Sequence, residues 1–317
     1  MNPVTDPAKK SHEAKGVDKK KESHAPSVKD DKAPEPKPAS NADDRLTPEE
    51  VERDYQFFDP SKVPDSFFAL AVAPRRNGKS EMLQSLLEEF HKDKAKKFDY
   101  VFLFSQTGVG YEEQIPPTFR FTDLAHLPAI CQEQMRIKRH NEKAKLKKDR
   151  VKSRILLILD DMIGDSTGPN SLKSNDMIRK LGVNGRHLGN DKVEGNGINV
   201  IILTQSLKAV PKVVRQQIDI LFAGKCASRV EREALVYEFL CLRSDRDGIK
   251  EAYRVYDGIT YSAPYRFITI SNYIQERMCH KDYVGYYNAK FPVKQHRLFG
   301  DNADWMEELN HTSIFDE

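Results

Sequence analysis

One short loop near residue 75 combines the residue types that bind phosphate. It occupies positions 73–80 with the sequence APRRNGKS, between the apolar run Phe67–Ala73 and a helical pattern. In loops of this kind, backbone N–H groups surround the phosphates, the lysine reaches the β and γ oxygens, and the serine hydroxyl binds Mg²⁺. A lone Gly-Lys-Ser also occurs in ordinary surface loops, but its place between strand and helix favours a P-loop. We therefore predict ATP and Mg²⁺ as cofactors, with nucleotide contacts from Pro74, Arg75, Arg76, Asn77, Gly78, Lys79, Ser80 and Glu81.

Two adjacent carboxylates close another apolar run. Asp160 and Asp161 follow directly after Ile155–Leu159. Carboxylates at the end of a buried strand have no role in packing, but phosphoryl transfer gives each of them one: Asp160 would bind Mg²⁺ together with Ser80, and Asp161 would polarise the attacking water. The alternative is a solvated Asp-Asp turn. In the first interpretation, Lys79, Asp160 and Asp161 are catalytic residues, and Ser80 and Asp160 are the metal ligands.

Polar residues farther along the chain are candidates for sensing and stabilising the γ-phosphate. Gln205 closes the run that begins at Asn199; its side chain would orient water and sense the γ-phosphate, or it would only cap the loop. Arg186 and Arg215 carry guanidinium groups that would stabilise the charge developing in phosphoryl transfer, from the same subunit or a neighbouring one. Either arginine would equally suit a structural ion pair, and the sequence does not choose between the two.

The elements that must position these residues alternate between strands and helices. Helical spacing follows the first apolar run, and two further apolar segments, AYRVYDGI and YRFITIS, come after residue 250 and are expected to form edge strands, arranged as a hairpin. Because apolar strands separated by helices form a parallel sheet covered on both faces, we expect an α/β fold with a mostly parallel central sheet. The five main strands are expected at Phe67–Ala73, Tyr100–Ser105, Ile155–Asp161, Asn199–Gln205 and Ile220–Lys225.

Composition separates a polar N-terminal region from the rest of the chain. Residues 1–48 hold seven of the 17 prolines, no aromatic residue, ten Lys+Arg and nine Asp+Glu, which is typical of disorder. Thr47-Pro48-Glu49-Glu50 then matches the capping box that starts a helix. We expect a disordered mixed-charge tail at 1–48, a P-loop ATPase core at 49–250, and a C-terminal extension of the sheet with a tail at 251–317.

Composition also disfavours several functional classes. We expect neither a transmembrane segment nor a signal peptide, because no apolar run approaches the roughly 18–20 residues of a membrane span. The cysteines are widely spaced and include no CxxC pair, which is typical of reduced thiols rather than of disulfides or a zinc site. The chain has 51 Lys+Arg against 48 Asp+Glu, so any surface for nucleic acid must be local. The four cysteines are Cys131, Cys226, Cys241 and Cys279.

A local basic stretch is the candidate for such a surface. Positions 136–154 contain ten Lys+Arg and only two acidic residues. A cationic element of this kind would hold the phosphates of double-stranded DNA without reading base sequence. The alternative is a solvated basic helix that borders the next strand, and the sequence favours neither.

Taken together, these segments resemble the genome-packaging ATPases of large eukaryotic DNA viruses, of the poxvirus type, within the FtsK/HerA superfamily. The resemblance extends over residues 65–225, about half of the chain, and its last segment is the most specific. Two positions depart from the pattern: Ala73 replaces the usual first glycine of the loop, and Asp161 stands where relatives outside this viral group often have Glu. The matching segments are FALAVAPRRNGKSEML, ILLILDD, GRHLGN and INVIILTQSLKAVPKVVRQQIDILFAG.

The resemblance implies a P-loop NTPase of the additional-strand (ASCE, RecA-like) type that pumps double-stranded DNA by hydrolysing ATP. It implies a homo-oligomeric ring, a pentamer or hexamer, in which an arginine of the neighbour completes the site. It also implies a capsid or portal vertex partner, and a location in the virion and the cytoplasmic viral factory. Two alternatives stay open: a nucleotide-binding switch or assembly scaffold with little hydrolysis, and a plasmid- or transposon-encoded relative that pumps DNA.

Overall fold

The computed structural model of the chain describes residues 45–92, 98–107, 110–112, 114–151, 153–162, 172, 175–185, 197–240, 245–275 and 279–289. These residues contain nine strands: β1 Gln56–Phe57, β2 Phe68–Val72, β3 Tyr100–Ser105, β4 Arg120–Phe121, β5 Arg154–Asp160, β6 Gly197–Thr204, β7 Ile220–Ala223, β8 Arg266–Ser271 and β9 Val284–Asn288. They also contain seven α-helices: α1 Pro48–Asp54, α2 Lys79–Lys92, α3 Leu127–Lys143, α4 Asp176–Asn184, α5 Lys212–Arg215, α6 Arg229–Leu235 and α7 Arg246–Tyr261.

The nine described strands form one sheet in the order β1-β9-β8-β7-β2-β6-β5-β3-β4. Neighbouring strands run parallel except at the β7–β8 and β8–β9 pairs, which are antiparallel. The predicted mixed α/β fold with a mostly parallel sheet is therefore confirmed. Strand β6 lies between β2 and β5, so one additional strand separates the strand before the P-loop from the strand that ends in two carboxylates.

The central strands are buried along their whole length, as expected for strands with helices on both faces. Every residue of β2, β6 and β7 is buried. Asn199 is a polar exception within this core: its side-chain oxygen accepts from Phe67 N at 3.0 Å, and its amide donates to Ile155 O at 3.2 Å. Because a buried polar group must find partners, this side chain fixes the register of β6 against the strands on either side.

The first helix begins where the sequence predicts it. Thr47 Oγ1 accepts from Glu50 N at 3.2 Å, and the Glu50 carboxylate accepts from Thr47 N at 2.8 Å. This reciprocal pair is the capping box, with Pro48 at the first helical position. Leu46, just before it, is already buried against Gly258 of α7. Residues 1–44 and 290–317 lie outside the described residues, and the division into tail, core and extension stays a prediction.

The prediction of a strand at AYRVYDGI is wrong. These residues, 252–259, belong to helix α7. The segment is rich in aromatic and β-branched residues, which favour strands, but its spacing is helical: Ala252, Val255, Tyr256 and Ile259 recur three and four residues apart and are all buried. Tertiary packing of this face therefore outweighs the local strand preference.

The second segment after residue 250, YRFITIS, does form a strand, β8. Its neighbours differ from the expected edge hairpin, because β8 pairs with β7 on one side and with β9 on the other. The short strand β1 then lies outside β9. The C-terminal segment therefore extends the sheet beyond β7 in the order β8, β9.

Two further sequence expectations concern membranes and cysteines. Within the described parts of the chain, no helix combines the length and apolarity that crossing a bilayer requires. Cys131 and Cys226 are buried free thiols and Cys279 is an exposed one. Cys241 lies outside the described residues.

Candidate nucleotide site

The P-loop connects the end of β2 to the first turn of α2. Two of its residues have positive φ, Arg76 at 61° and Gly78 at 77°. Gly78 is also required by space, because a Cβ built there would lie 2.5 Å from Cδ1 of Tyr265. The loop thus delivers the chain to the start of a 14-residue helix, where unpaired N–H groups and the helix dipole favour an anion.

Lys79 is folded back against this loop. Its ammonium donates to Ala73 O at 2.7 Å and to Pro74 O at 3.4 Å, and the residue is only 8% exposed. Burial lowers the pKa of Lys79, while the carboxylates of Asp161 and Asp160 oppose that shift. The lysine therefore faces both predicted catalytic carboxylates and holds a charge that is poorly solvated, which suits it to an anionic ligand.

Ala73, which replaces the usual first glycine of the loop, lies against Gly224, the residue after the neighbouring strand β7. A Cβ built at Gly224, just after β7, would lie 2.8 Å from Cβ of Ala73 and 3.0 Å from the Phe267 ring. The backbone stays paired on both sides of this contact, since Ala73 N donates to Thr204 O at 3.2 Å and Gly224 N to Val72 O at 2.9 Å. The departure at Ala73 is thus accommodated because Gly224 leaves room for its methyl group.

Asp161 and Gln205 meet where β5 and β6 end. Gln205 Nε2 donates to Asp161 Oδ2 at 2.7 Å, and Asp161 N donates to Leu203 O at 3.0 Å. Asp161 has a φ of 46°, a left-handed conformation that is uncommon outside glycine. Its second carboxylate oxygen, Oδ1, is buried and has no hydrogen-bond partner among the described residues. An orphaned acceptor of this kind is suited to a water molecule or another absent ligand.

Tyr111, which sequence reasoning missed, completes the site from a third segment. Its hydroxyl donates to Asp160 Oδ2 at 2.9 Å and also interacts with the Ser80 side chain. Burial, aided by the charge of Asp160, raises the pKa of Tyr111 well above its ordinary value of 10.0. Burial likewise raises the pKa of Asp160, with a further contribution from Asp161, against the opposing effects of Tyr111 and Lys79. Tyr111 therefore stays a neutral hydrogen-bond donor to a carboxylate that is held in a poorly solvated place.

One topological signal points toward Tyr111. It follows β3, which pairs with β5 in parallel, so the segments after both strands leave the sheet at the same edge. No local motif marks the residue, because its role depends on this tertiary neighbour.

The residues present fit a magnesium ion. Asp160, one of the two predicted ligands, accepts a hydrogen bond from the Tyr111 hydroxyl, and the side chain of the other, Ser80, lowers the pKa of the same hydroxyl, so both ligands adjoin Tyr111. Hydroxyl and carboxylate oxygens are the donor types that Mg²⁺ takes, together with phosphate oxygens of a substrate. The buried, unpartnered Asp161 Oδ1 nearby is a further indication that a hydrated ligand belongs here.

Arg215, one of the two predicted arginines, forms an ion pair within the chain. Arg215, the last residue of α5, donates to the Glu238 carboxylate from Nε at 3.0 Å and from Nη2 at 2.9 Å, and from Nη1 to Val210 O at 2.6 Å. Within this chain it thus forms the ion pair that was the alternative interpretation. Arg186 lies outside the described residues, and the roles of both arginines on nucleotide stay predictions.

The basic stretch lies at the opposite edge of the sheet, because it leads into the amino end of β5. Arg154, counted in it, is not on the surface: its side chain is 4% exposed, 4.0 Å from the Asp65 carboxylate and over the Phe98 ring. A buried arginine cannot contact DNA, so the stretch is smaller than its sequence suggests. Lys152 lies outside the described residues. Six basic residues of the stretch are exposed: Arg136, Arg139, Lys143, Lys145, Lys147 and Lys148.

Comparisons with known proteins complete this description. The protein family described as "Poxvirus A32 protein" matches residues 56–281, a range that contains every site residue discussed above. No curated protein sequence matches the chain significantly.

Several solved structures match the chain at low sequence identity. The genome packaging NTPase B204 from Sulfolobus turreted icosahedral virus 2, in complex with sulfate, is 14% identical with a TM-score of 0.45, over 71% of this chain and 98% of that one. B204, the DNA-packaging ATPase from Sulfolobus Turreted Icosahedral Virus, is 15% identical with a TM-score of 0.43, over 72% and 98%. The pCW3 conjugation coupling protein TcpA is 13% identical with a TM-score of 0.43, over 74% and 61%. These values assign no role to any residue of this chain.

Proposed function

The chain belongs to the poxvirus A32 protein family and is a P-loop ATPase, and we propose that it uses ATP hydrolysis to move double-stranded DNA during packaging of a viral genome. The observation that supports this most strongly is the hydrogen bond between Gln205 and Asp161. It joins a γ-phosphate sensor candidate on the additional strand to the candidate base on the neighbouring strand, beside the P-loop lysine.

In this proposal, the residues of the loop bind and orient the nucleotide. Lys79 exchanges the carbonyl oxygens of Ala73 and Pro74 for β and γ phosphate oxygens, and the exchange relieves the cost of its burial. Ser80 and Asp160 hold Mg²⁺, which supplies charge neutralisation at the phosphates when bound. The proposed nucleotide contacts otherwise come from the backbone of residues 74–81 at the start of α2.

Asp161 acts on the attacking water. Its Oδ2 is held by Gln205, and its buried Oδ1 has no partner among the described residues, so one oxygen fixes the carboxylate while the other accepts a proton from water. Gln205 thus orients Asp161 and reports whether a γ-phosphate is present. These different roles of the two Asp161 oxygens support hydrolysis rather than nucleotide binding alone.

Hydrogen bonds also connect the segment after Gln205 to helix α6. Ser206 and Leu207, the two residues after Gln205, are bound by Glu231 of α6, through Ser206 Oγ at 2.5 Å and Leu207 N at 2.9 Å. Glu238, in the π-helical turn that continues α6, holds Arg215. In this proposal, a shift of Gln205 on hydrolysis moves α6 and, through Glu238, Arg215. Such coupling suits a motor whose neighbouring subunits hydrolyse ATP one after another.

The remaining parts of the proposal concern assembly. The subunits form a homo-oligomeric ring, pentamer or hexamer, with Arg186 or Arg215 of one subunit completing the site of its neighbour. The exposed basic residues within 136–148 contact the DNA backbone. The ring acts in the viral factory and the virion, on a capsid or portal vertex partner.

Displacement of a triplex-forming strand from linear double-stranded DNA tests the movement directly. The full chain with ATP and Mg²⁺ is expected to displace the strand, whereas a non-hydrolysable ATP analogue and the Lys79→Ala variant are not. Hydrolysis of ATP without displacement would contradict translocation, and binding of ATP without hydrolysis would favour a switch or scaffold.

A further inference from the structure

We propose that Tyr111 is a positioning residue of the magnesium site, which holds the Asp160 carboxylate in the orientation that binding of Mg²⁺ with nucleotide requires. This inference rests on the proposed ATPase site and adds to it a side chain from a segment outside both sequence motifs. It assigns Tyr111 an effect on the metal through Asp160, without direct contact with the nucleotide.

The contacts of a single hydroxyl group carry this assignment. Tyr111 donates to Asp160 Oδ2 at 2.9 Å, and the Ser80 side chain interacts with the same hydroxyl. Asp160 ends β5 and Ser80 lies in the first turn of α2. The hydroxyl thus bonds one residue assigned to Mg²⁺ and is influenced by the other, although all three residues come from separate elements.

The chemistry of a tyrosine hydroxyl suits this task. A neutral donor that bonds one carboxylate oxygen fixes the rotation of the carboxyl group and leaves the second oxygen to another ligand. It does so without adding a charge that would compete with the metal. Hydrogen bonds from such outer residues orient metal ligands, and their loss typically reduces metal affinity about 10- to 100-fold.

Several hydrogen bonds hold the backbone around Tyr111. The residue is fully buried, and its carbonyl accepts from Gln114 N at 3.1 Å and Ile115 N at 2.9 Å. The preceding Gly110 carbonyl accepts from the Gln84 side chain of α2. Since α2 is the helix that begins at the P-loop, the Gln84 hydrogen bond connects the segment that carries Tyr111 to the element that carries the loop.

The chain offers a matched control in Tyr287. This residue is also fully buried, and its hydroxyl bonds Ser85, likewise on α2, at 2.8 Å. Ser85 lies more than one turn beyond Ser80, and the acidic groups that face Tyr287 are Glu89 and Glu88 rather than Asp160. Removing either hydroxyl deletes one hydrogen bond of a fully buried tyrosine, but only the bond of Tyr111 is made to a predicted metal ligand, Asp160.

The test is binding of a fluorescent ADP to the full chain, titrated with Mg²⁺ and without DNA. Tyr111→Phe is expected to raise the Mg²⁺ concentration for half-maximal binding about tenfold, and Tyr287→Phe to leave it unchanged. An unchanged Mg²⁺ requirement in Tyr111→Phe, or an equal rise in both variants, would overturn the inference. Thermal unfolding without metal checks the fold of each variant.

A double variant shows whether Tyr111 acts through Asp160. Residues in one network have non-additive effects, so Tyr111→Phe in an Asp160→Asn background is expected to raise the Mg²⁺ requirement no further. An additive rise would overturn the assignment. If Tyr111→Phe does not fold, Gln84→Met is the second variant, because it removes the hydrogen bond that joins Gly110, next to Tyr111, to α2. Gln84→Met is then expected to raise the Mg²⁺ requirement as well, and an unchanged Mg²⁺ requirement in this variant would overturn the inference.

The titration needs neither hydrolysis nor DNA, so it separates this inference from the proposed function. Absence of DNA movement would contradict the translocase and leave the metal requirement of Tyr111→Phe standing. An unaltered Mg²⁺ requirement of Tyr111→Phe, together with intact DNA movement by the unmodified chain, would overturn only the role assigned to Tyr111.

Discussion

Gln205 Nε2 lies 2.7 Å from Asp161 Oδ2 and donates a hydrogen bond to it. The two side chains come from adjacent parallel strands, β6 and β5, and meet where both strands end. The bond fixes one oxygen of a carboxylate whose other oxygen is buried without a partner in the described structure. The candidate base of the reaction is therefore oriented by the candidate sensor.

Asp161→Asn is expected to bind ATP with near-normal affinity and to lower kcat about 10²- to 10⁴-fold, the range for loss of a general base. Gln205→Ala should give a smaller loss, because it removes only the group that orients Asp161. Steady-state ATPase and equilibrium nucleotide binding measure the two effects. The double variant should be no slower than Asp161→Asn, and unchanged turnover in Asp161→Asn would remove this residue from the mechanism.

Asp160→Asn is expected to stabilise the chain at neutral pH, because it removes a carboxylate whose charged form is unfavourable in this buried place. Burial raises the pKa of Asp160 above its ordinary value of 3.8, so the folded state binds the proton more tightly than the unfolded state. The free energy of unfolding contributed by this group therefore falls as pH rises from 3.8 through the raised value.

Urea unfolding of both proteins at a series of pH values measures this difference. The gap between Asp160→Asn and the unmodified chain should shrink as pH falls through the raised pKa towards 3.8, because the carboxyl becomes protonated first in the folded state and then, below 3.8, in both states. A gap that widens at low pH would show that the sign assigned to the shift is wrong. A gain in stability on loss of a functional group is a common property of active sites.

Gly78→Ala is expected to abolish nucleotide binding. Its φ of 77° is strained for any other residue, and the added Cβ would lie 2.5 Å from the Tyr265 ring. Fluorescent ADP binding measures the loss. Gly182→Ala is the matched control, because a Cβ there meets only Val214 at 3.5 Å, and it should bind normally. Normal binding by Gly78→Ala would show that the loop need not keep this conformation.

Gly224→Ala is expected to destabilise the chain by about 1–3 kcal/mol, as overpacking of a core does. The new Cβ would lie 2.8 Å from Cβ of Ala73 and 3.0 Å from the Phe267 ring. Adding Ala73→Gly should recover part of the loss, since it removes one of the two clashes. Urea unfolding of the single and double variants measures this, and the absence of any recovery would contradict the explanation given for Ala73.

The features that the sequence predicted correctly are those encoded locally. Strands β2, β5 and β6 are mostly apolar, and the polar residues at or just after their ends meet at one edge because parallel strands place their carboxyl ends together. The Gly-Lys-Ser loop and the Thr47 capping box are likewise short motifs with one physical meaning. Local patterns of this kind were sufficient to bring Lys79, Asp160, Asp161 and Gln205 together.

The features that were missed depend on tertiary neighbours. Helix α7 carries valines, tyrosines and an isoleucine that resemble a strand, and only its packing against the sheet selects the helical period. Arg154 counts as basic in the sequence but is buried beside Asp65 and Phe98. Tyr111 has no motif, because its hydrogen-bond partner Asp160 lies 49 positions away in sequence.

Steady-state ATPase of the full chain, with and without long double-stranded DNA, tests the central claim most directly. Lys79→Ala serves as the background, since this side chain bonds only loop carbonyls among the contacts described and its loss should spare the fold. We expect DNA to stimulate hydrolysis several-fold in the unmodified chain and to have no effect on the variant. Normal hydrolysis by Lys79→Ala would contradict the site, and near-zero turnover that DNA does not change would contradict the translocase.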